Sequence, residues 1–171
     1  MRIGPAKSAF RNVARGLVHD VDFWRQFRGL AVFPPEIEAN AFRTANGEFG
    51  WTREQIPIVV DVLRSKGTAI LGGELWYRRK CYDGFVEMYS SIPQREDIPS
   101  QYWGLYVWNT DRKPEERWPD FVERGALETL SAVARWPWPS GASQPPTLPG
   151  QVLYNLTWIS EADYETRYQN R

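Results

Sequence analysis

The stretch TAILGGELWY, residues 68–77, decides the fold of this chain. It combines β-branched, aliphatic and aromatic residues, a composition typical of a buried strand. Gly72 and Gly73 inside it indicate a β-bulge or the close approach of another backbone. Asp83-Gly84 is a tight-turn signal, so we expect a hairpin that returns along residues 85–89.

Downstream, residues 102–109 predict a third strand. Their alternation divides the side chains between two faces of a sheet. One face carries Tyr102, Gly104, Tyr106 and Trp108, and the other carries Trp103, Leu105 and Val107. Further on, an apolar stripe from Trp118 to about residue 135 predicts a helix, and residues 152–159 predict a last strand.

Upstream, residues 52–67 predict a helix. Thr52 and Gln55 form a capping-box pattern at its start, and Gly67 is a typical C-terminal cap. Apolar residues at helical spacing over 6–28 indicate a helical arm, and residues 36–50 are expected to form a loop. We therefore predict an N-terminal arm and loop over 1–50 and a single domain over 51–171.

The order of these elements predicts the fold class. Helix, strands, helix and strand follow one another, which argues against a doubly wound parallel sheet. We expect an α+β domain with an antiparallel sheet of about four strands packed against helices, plus the N-terminal helical arm.

The composition excludes several functions. The 21 basic and 21 acidic residues give a net charge of zero, which provides no general attraction for nucleic acid or an anionic membrane. No apolar stretch reaches the ~20 residues of a membrane span. A single cysteine precludes an internal disulfide. We expect a cytoplasmic protein whose partners are neither nucleic acid nor membrane; its oligomeric state stays open.

Reactive side chains are scarce, whereas contact side chains are abundant. His19 and Cys81 are single copies, and the simpler interpretation of each is a capping, surface or buried structural role. Nine tryptophans and eight tyrosines supply the aromatic groups that anchor binding surfaces. Paired cysteines or histidines and a phosphate-binding loop are both missing, so we expect no metal and no cofactor. Trp103, Trp136 and Trp138 are the tryptophans expected to be exposed.

Glu74 is the carboxylate of most interest because it lies in the middle of the first strand. If its face is buried it requires a partner, for which an arginine is the natural choice. If its face is open, it lies beside Trp76 where a ligand or a protein could approach. Glu87 on the neighbouring strand is expected nearby, and two acids with tryptophans would also suit a glycosidase.

Four landmarks carry a resemblance to a known family. They are the helix from Trp51 to Gly67, the strand TAILGGELWY, the aromatic strand YWGLYVWN and the helix ERWPDFVERGALETL. Together they resemble bacterial polymorphic-toxin immunity proteins, in particular a small family with a Gly-Gly-acidic strand and a Trp-x-Asp-aromatic-Val helix. The resemblance covers about residues 51–160. It departs from the family pattern at Glu74, where aspartate is expected, and in a longer loop over 90–101.

The resemblance implies a non-enzymatic antitoxin that binds one cognate protein toxin and occludes it. It provides no catalytic residue. The partner-binding candidates are Glu74, Trp76, Glu87, Trp103, Tyr106, Trp108, Glu116 and Asp120. Two other classes stay open: a carbohydrate-binding or carbohydrate-hydrolysing domain that uses tryptophan platforms and paired acids, and a structural or assembly protein of a phage or secretion system.

Overall fold

A computed structural model describes residues 33–44, 47–80, 86–136 and 148–168. Its helices are α1 (Pro35–Ala39), α2 (Ile56–Ser65), α3 (Trp118–Arg135) and α4 (Glu161–Tyr168). Its strands are β1 (Phe42–Arg43), β2 (Phe49–Gly50), β3 (Ala69–Lys80), β4 (Val86–Tyr89), β5 (Val107–Asn109) and β6 (Gln151–Ile159), with a 3₁₀ turn at Ser100–Tyr102. The predicted arm over 6–28, His19, Cys81, the Asp83-Gly84 turn and Trp138 lie outside the described residues.

β3 is the central strand of a four-stranded antiparallel sheet. β6 pairs with it along one edge, from Ala69 opposite Ile159 to Arg78 opposite Gln151. β5 and β4 share the other edge, where they pair with residues 72–74 and 77–80. With helices packed on this sheet, the fold is α+β, as the sequence predicts.

The glycine pair in β3 is required by the close packing of the strands. The register against β6 shifts between Ile70 and Gly72, which marks a β-bulge. Gly72 has a φ of +143°, and a Cβ there would lie 2.1 Å from the carbonyl oxygen of Trp108. The prediction of a bulge or a close backbone approach is confirmed.

The strand predicted over residues 102–109 is shorter than expected. Only Val107–Asn109 forms β5, while Ser100–Tyr102 forms the 3₁₀ turn. Gly104 has a φ of +142° and forms an isolated bridge with Ile92, so the chain bends away from β3 before β5 begins. The alternation nevertheless places Tyr106 and Trp108 on the core side.

Residues 36–50 form more than the loop that their composition predicts. They contain all of α1 but its first residue, and the antiparallel pair β1–β2, whose two-residue strands are too short to display a hydrophobic period. Phe33 and Phe49 pack against Trp51, with ring centroids 5.1 and 5.6 Å away. The core of the domain therefore includes side chains from the region predicted to be an arm and loop.

The two central helices cover the inner face of the sheet. The Thr52 amide donates to Gln55 Oε1 at 2.8 Å, which is half of the predicted capping box, and Gly67 has a φ of +65°. α3 approaches β3 so closely that a Cβ on Gly125 would lie 2.7 Å from the Ile70 carbonyl oxygen. The apolar residues of α2 that point to the core are all buried: Ile56, Val59, Val60 and Leu63.

The last helix packs on the start of α3. The ring of Tyr164 lies 5.5 Å from Trp118 and 5.8 Å from Phe121, measured between centroids. Tyr168 stacks on Tyr164 at 4.5 Å. Among the described residues, no helix has both the length and the apolar character that crossing a bilayer requires.

Candidate functional site on the outer face of the sheet

The two faces of β3 have different environments. Leu75 and Tyr77 point to the inner face and are fully buried. Glu74, Trp76 and Arg78 alternate with them and therefore point to the outer face. At Trp76 this outer face is covered by the β1–β2 pair rather than by a helix.

Trp76 is buried although it points outward. A Cβ on Gly50 would lie 2.9 Å from the Trp76 ring, so the β2 backbone rests directly on the indole. Only 5% of Trp76 is exposed. Trp76 is one of the predicted partner contacts, but its ring is covered and its indole N–H donates to Glu74 instead.

Glu74 is half-buried beside Trp76. The indole N–H of Trp76 donates to Glu74 Oε1 at 2.7 Å. Burial raises the pKa of Glu74, the Trp76 hydrogen bond opposes that rise, and the nearby charge of Glu48 adds to it. An indole donor therefore takes the place of the arginine expected as the partner of a buried Glu74.

Glu74 has no cationic partner among the described residues. Arg78 lies four positions along the same face, but its guanidinium is held over the Phe42 ring at 4.8 Å from the centroid. It also donates a long hydrogen bond of 3.4 Å to Gln151. The nearest cation on the same face of the strand is thus engaged elsewhere.

A stripe of apolar side chains runs beside Glu74 along the outer edge of the sheet. Val107 lies opposite Glu74 in the β3–β5 register and is 42% exposed. Leu105, on the same side of the chain, is 59% exposed, and Val86 is 46% exposed. Met88 and Val86 lie opposite Arg78 and Lys80 in the β3–β4 register and therefore share this face. We call this set the outer-face patch: Glu74, Val86, Met88, Leu105 and Val107.

Asn155 borders the patch on the other side of Glu74. It lies opposite Glu74 in the β3–β6 register, which brings the two Cβ atoms within about 5 Å. Its Nδ2 donates to the Phe49 carbonyl at 2.9 Å, which leaves the amide oxygen as its acceptor. Two oxygen acceptors therefore stand side by side next to the apolar stripe.

Glu87 is not close to Glu74, contrary to expectation. Glu87 pairs with Arg79 across β3 and β4, so it lies on the inner face and five positions further along. At ~3.3 Å per residue the offset is about 17 Å. Paired carboxylates of glycosidases are about 5 to 9.5 Å apart, so these two acids do not form such a pair.

Glu87 belongs instead to a charged cluster at the end of β3. Arg79 forms an ion pair with Asp97 at 2.6 Å. Arg95 lies between the two acids, 3.3 Å from Asp97 and 3.8 Å from Glu87. The two arginines and two acids balance one another, which indicates a role in fixing the loop that follows β4.

The three aromatic candidates after this loop are structural. Trp103 donates its indole N–H to the Ile98 carbonyl at 2.8 Å, and Tyr106 donates its hydroxyl to the Tyr102 carbonyl at 2.9 Å. Trp108 is buried under α3 and its indole nitrogen lies 3.3 Å from the Thr129 hydroxyl. Trp103 and Trp136 are half-buried, so the prediction that they are exposed is wrong.

Glu116 and Asp120 lie at the start of α3, outside the patch. Arg124 holds Glu116 with two 2.8 Å hydrogen bonds, which lower the pKa of Glu116 to about 2. Asp120 pairs with Arg117 at 2.7 Å on the exposed surface. Arginines pair with both of these acids, whereas the described residues offer Glu74 only the Trp76 indole.

The sequence patterns miss Val86, Met88, Leu105 and Val107 as site residues. A signal is present for two of them, because Leu105 and Val107 fall on the opposite face from Tyr106 and Trp108. Aromatic residues carry more weight than aliphatic ones in such an interpretation, yet every described tryptophan is buried or half-buried. Aromatic content alone therefore misidentifies the contact surface.

The described residues contain no cluster of three or more His, Cys, Asp or Glu side chains that could hold a metal. The patch and the bordering Asn155 combine apolar contact area with a carboxylate and an amide oxygen, a set suited to recognising another molecule. No protein-family model matches the chain, and neither a curated protein nor a solved structure is significantly similar to it.

Proposed function

We propose that the chain is a non-enzymatic binding protein that neutralises a cognate bacterial toxin by occluding it. The observation that carries the proposal is the outer-face patch, where Val107 and Leu105, 42% and 59% exposed, lie beside a carboxylate that lacks a cationic partner among the described residues, and Val86 continues the stripe further along the sheet. The resemblance to immunity proteins supplies the kind of partner. Such an inhibitor would act in the cytoplasm.

The position of the patch suits tight binding. Its members lie on or beside the sheet whose central strand is paired along both edges. Side chains on such a support lose little freedom when a partner docks, so more of the contact energy appears as affinity. Exposed apolar side chains grouped beside a polar acceptor are a feature of surfaces that contact other molecules.

The carbohydrate alternative finds less support. The described tryptophans offer no exposed stacking platform, and Glu74 and Glu87 point to opposite faces. The assembly alternative depends on the arm over residues 6–28, which lies outside the described residues. The toxin-binding proposal is the one to which the outer-face patch contributes directly.

Co-expression in a bacterial growth assay tests the proposal. The probe is the protein encoded beside this gene, which should arrest growth alone and fail to do so when this chain is present. We expect Leu105→Asp to abolish rescue, because it places a charge in the patch.

Leu127→Asp provides the matched control. Leu127 is 55% exposed on α3, close to the 59% of Leu105, but it lies outside the patch. Its substitution should preserve rescue. Equal effects of the two substitutions, or growth arrest that the unmodified chain does not relieve, would contradict the proposal.

A further inference from the structure

We propose that Glu74 is the acceptor for a basic side chain, of the guanidinium type, that the partner protein inserts beside Val107. This inference rests on the proposed function and specifies the chemistry of the partner. It commits to a partner surface in which one arginine is surrounded by apolar side chains.

The first argument is the unmatched charge. A carboxylate withdrawn from water is costly unless a cation or several donors compensate it. Glu74 receives one indole N–H at 2.7 Å and no cation from the described residues. The charge of Glu48 makes its surroundings more negative. A cation from outside would offset the charge of Glu74.

The second argument is the set of acceptors. Glu74 keeps one oxygen that the Trp76 indole does not engage, and Asn155 keeps its amide oxygen because Nδ2 is bound to Phe49. A guanidinium carries five N–H donors in a planar fork and is more weakly hydrated than an ammonium. It can therefore donate to two neighbouring acceptors at a half-buried site.

The third argument is the adjacent apolar area. Val107 lies opposite Glu74, and Leu105 lies next along the chain on the same side. A partner whose apolar side chains cover this stripe would exclude water from Glu74. The ion pair between Glu74 and the inserted cation would then be stronger than an exposed pair.

Short peptides test the inference without a toxin. The probes are acetyl-Val-Arg-Val-amide and the same peptide with citrulline, which has the shape of arginine but no charge. NMR titration of the full chain should show saturable shifts at Glu74 and Val107 with the arginine peptide alone. Glu74→Gln should remove them. Glu96 is exposed in the loop that follows β4, so Glu96→Gln should leave them unchanged. Equal shifts with the two peptides, or none, would overturn the inference.

The toxin complex provides the second arm. Glu74→Gln should weaken binding of the cognate toxin about 10- to 100-fold, the usual effect of losing a charge-assisted hydrogen bond. Glu74→Asp should restore part of the loss. Rescue by wild type with unaltered binding by Glu74→Gln would refute this inference alone. Arginine-specific peptide binding without rescue would refute the proposed function alone. A patch that instead mediates concentration-dependent self-association would overturn both.

Discussion

Glu116 at the start of α3 and Glu74 on the outer face of the sheet are both partly buried, but their surroundings differ. Arg124 and the Lys113 amide supply Glu116 with donors at 2.8 to 2.9 Å. These bonds lower the pKa of Glu116 to about 2, whereas burial raises the pKa of Glu74. Among the described residues, one carboxylate is matched by a cation and the other is not.

The difference teaches how to separate structural from functional acids in this chain. Arginines compensate the acids around α3 and β4, where the charges hold a helix start and a loop. The outer face contains an acid for which the described residues offer only an indole. An uncompensated group on a well-packed strand is typical of a surface that is completed by another molecule.

The largest effect on stability is expected from Arg124→Met. It leaves Glu116 with one amide donor and deprives Glu128 of its 3.0 Å bond. Breaking a partly buried pair on one side costs about 2 to 4 kcal/mol. Urea unfolding at pH 7 measures this loss. A decrease below ~0.5 kcal/mol would show that the α3 network contributes little, and the contrast with Glu74 would disappear.

Acid titration sharpens the same contrast. Since the pKa of Glu116 is lowered from 4.5 to about 2, its contribution is fully present above pH 4.5 and disappears as the pH falls through 2. The free energy of unfolding of the wild type should therefore exceed that of Glu116→Gln by about 1 to 2 kcal/mol at pH 7. The gap should close between pH 4.5 and 2. A gap that does not depend on pH would contradict the pairing.

Glu74→Gln should change stability in the opposite direction. The amide oxygen of the substituted side chain can still accept the Trp76 N–H but carries no charge, so we expect a gain of up to about 1 kcal/mol at pH 7. Because the folded pKa of Glu74 is raised, the folded state binds its proton more tightly than the unfolded chain. The gain should thus disappear as the pH falls below that pKa. Thermal unfolding at two pH values measures it, and a loss of stability at pH 7 would refute the account of Glu74.

The smallest effect is expected from Asp120→Asn. The Arg117–Asp120 pair has short contacts, but half or more of each side chain is exposed. Exposed pairs contribute little to stability, and added salt screens them. The urea midpoint should therefore move by less than about a quarter of the Arg124→Met shift. A comparable shift for the two variants would show that the exposed Arg117–Asp120 pair stabilises the fold as much as the Arg124 network does.

The sequence predicts the fold better than it predicts the site. Long elements with clear periodicity, such as α3 and β6, appear where they are expected. The pair of two-residue strands and the bend at Gly104 depend on tertiary contacts that no local pattern encodes. Trp76 shows the same limit at the site, since its burial depends on the distant Gly50 backbone. Glu74 stands out in the sequence because a carboxylate in the middle of an apolar strand conflicts with its local context.

The measurement that tests the central claim most directly is the side-chain carboxyl titration of Glu74 by NMR, in the free chain and in the complex with the cognate toxin. Glu48 is the neighbouring acid that must be assigned alongside it. We predict a pKa above the ordinary 4.5 for Glu74 in the free chain and a pKa below 4.5 in the complex, where a cation meets it. The same pKa in both states would contradict the claim that Glu74 on the outer face binds a basic side chain of the partner.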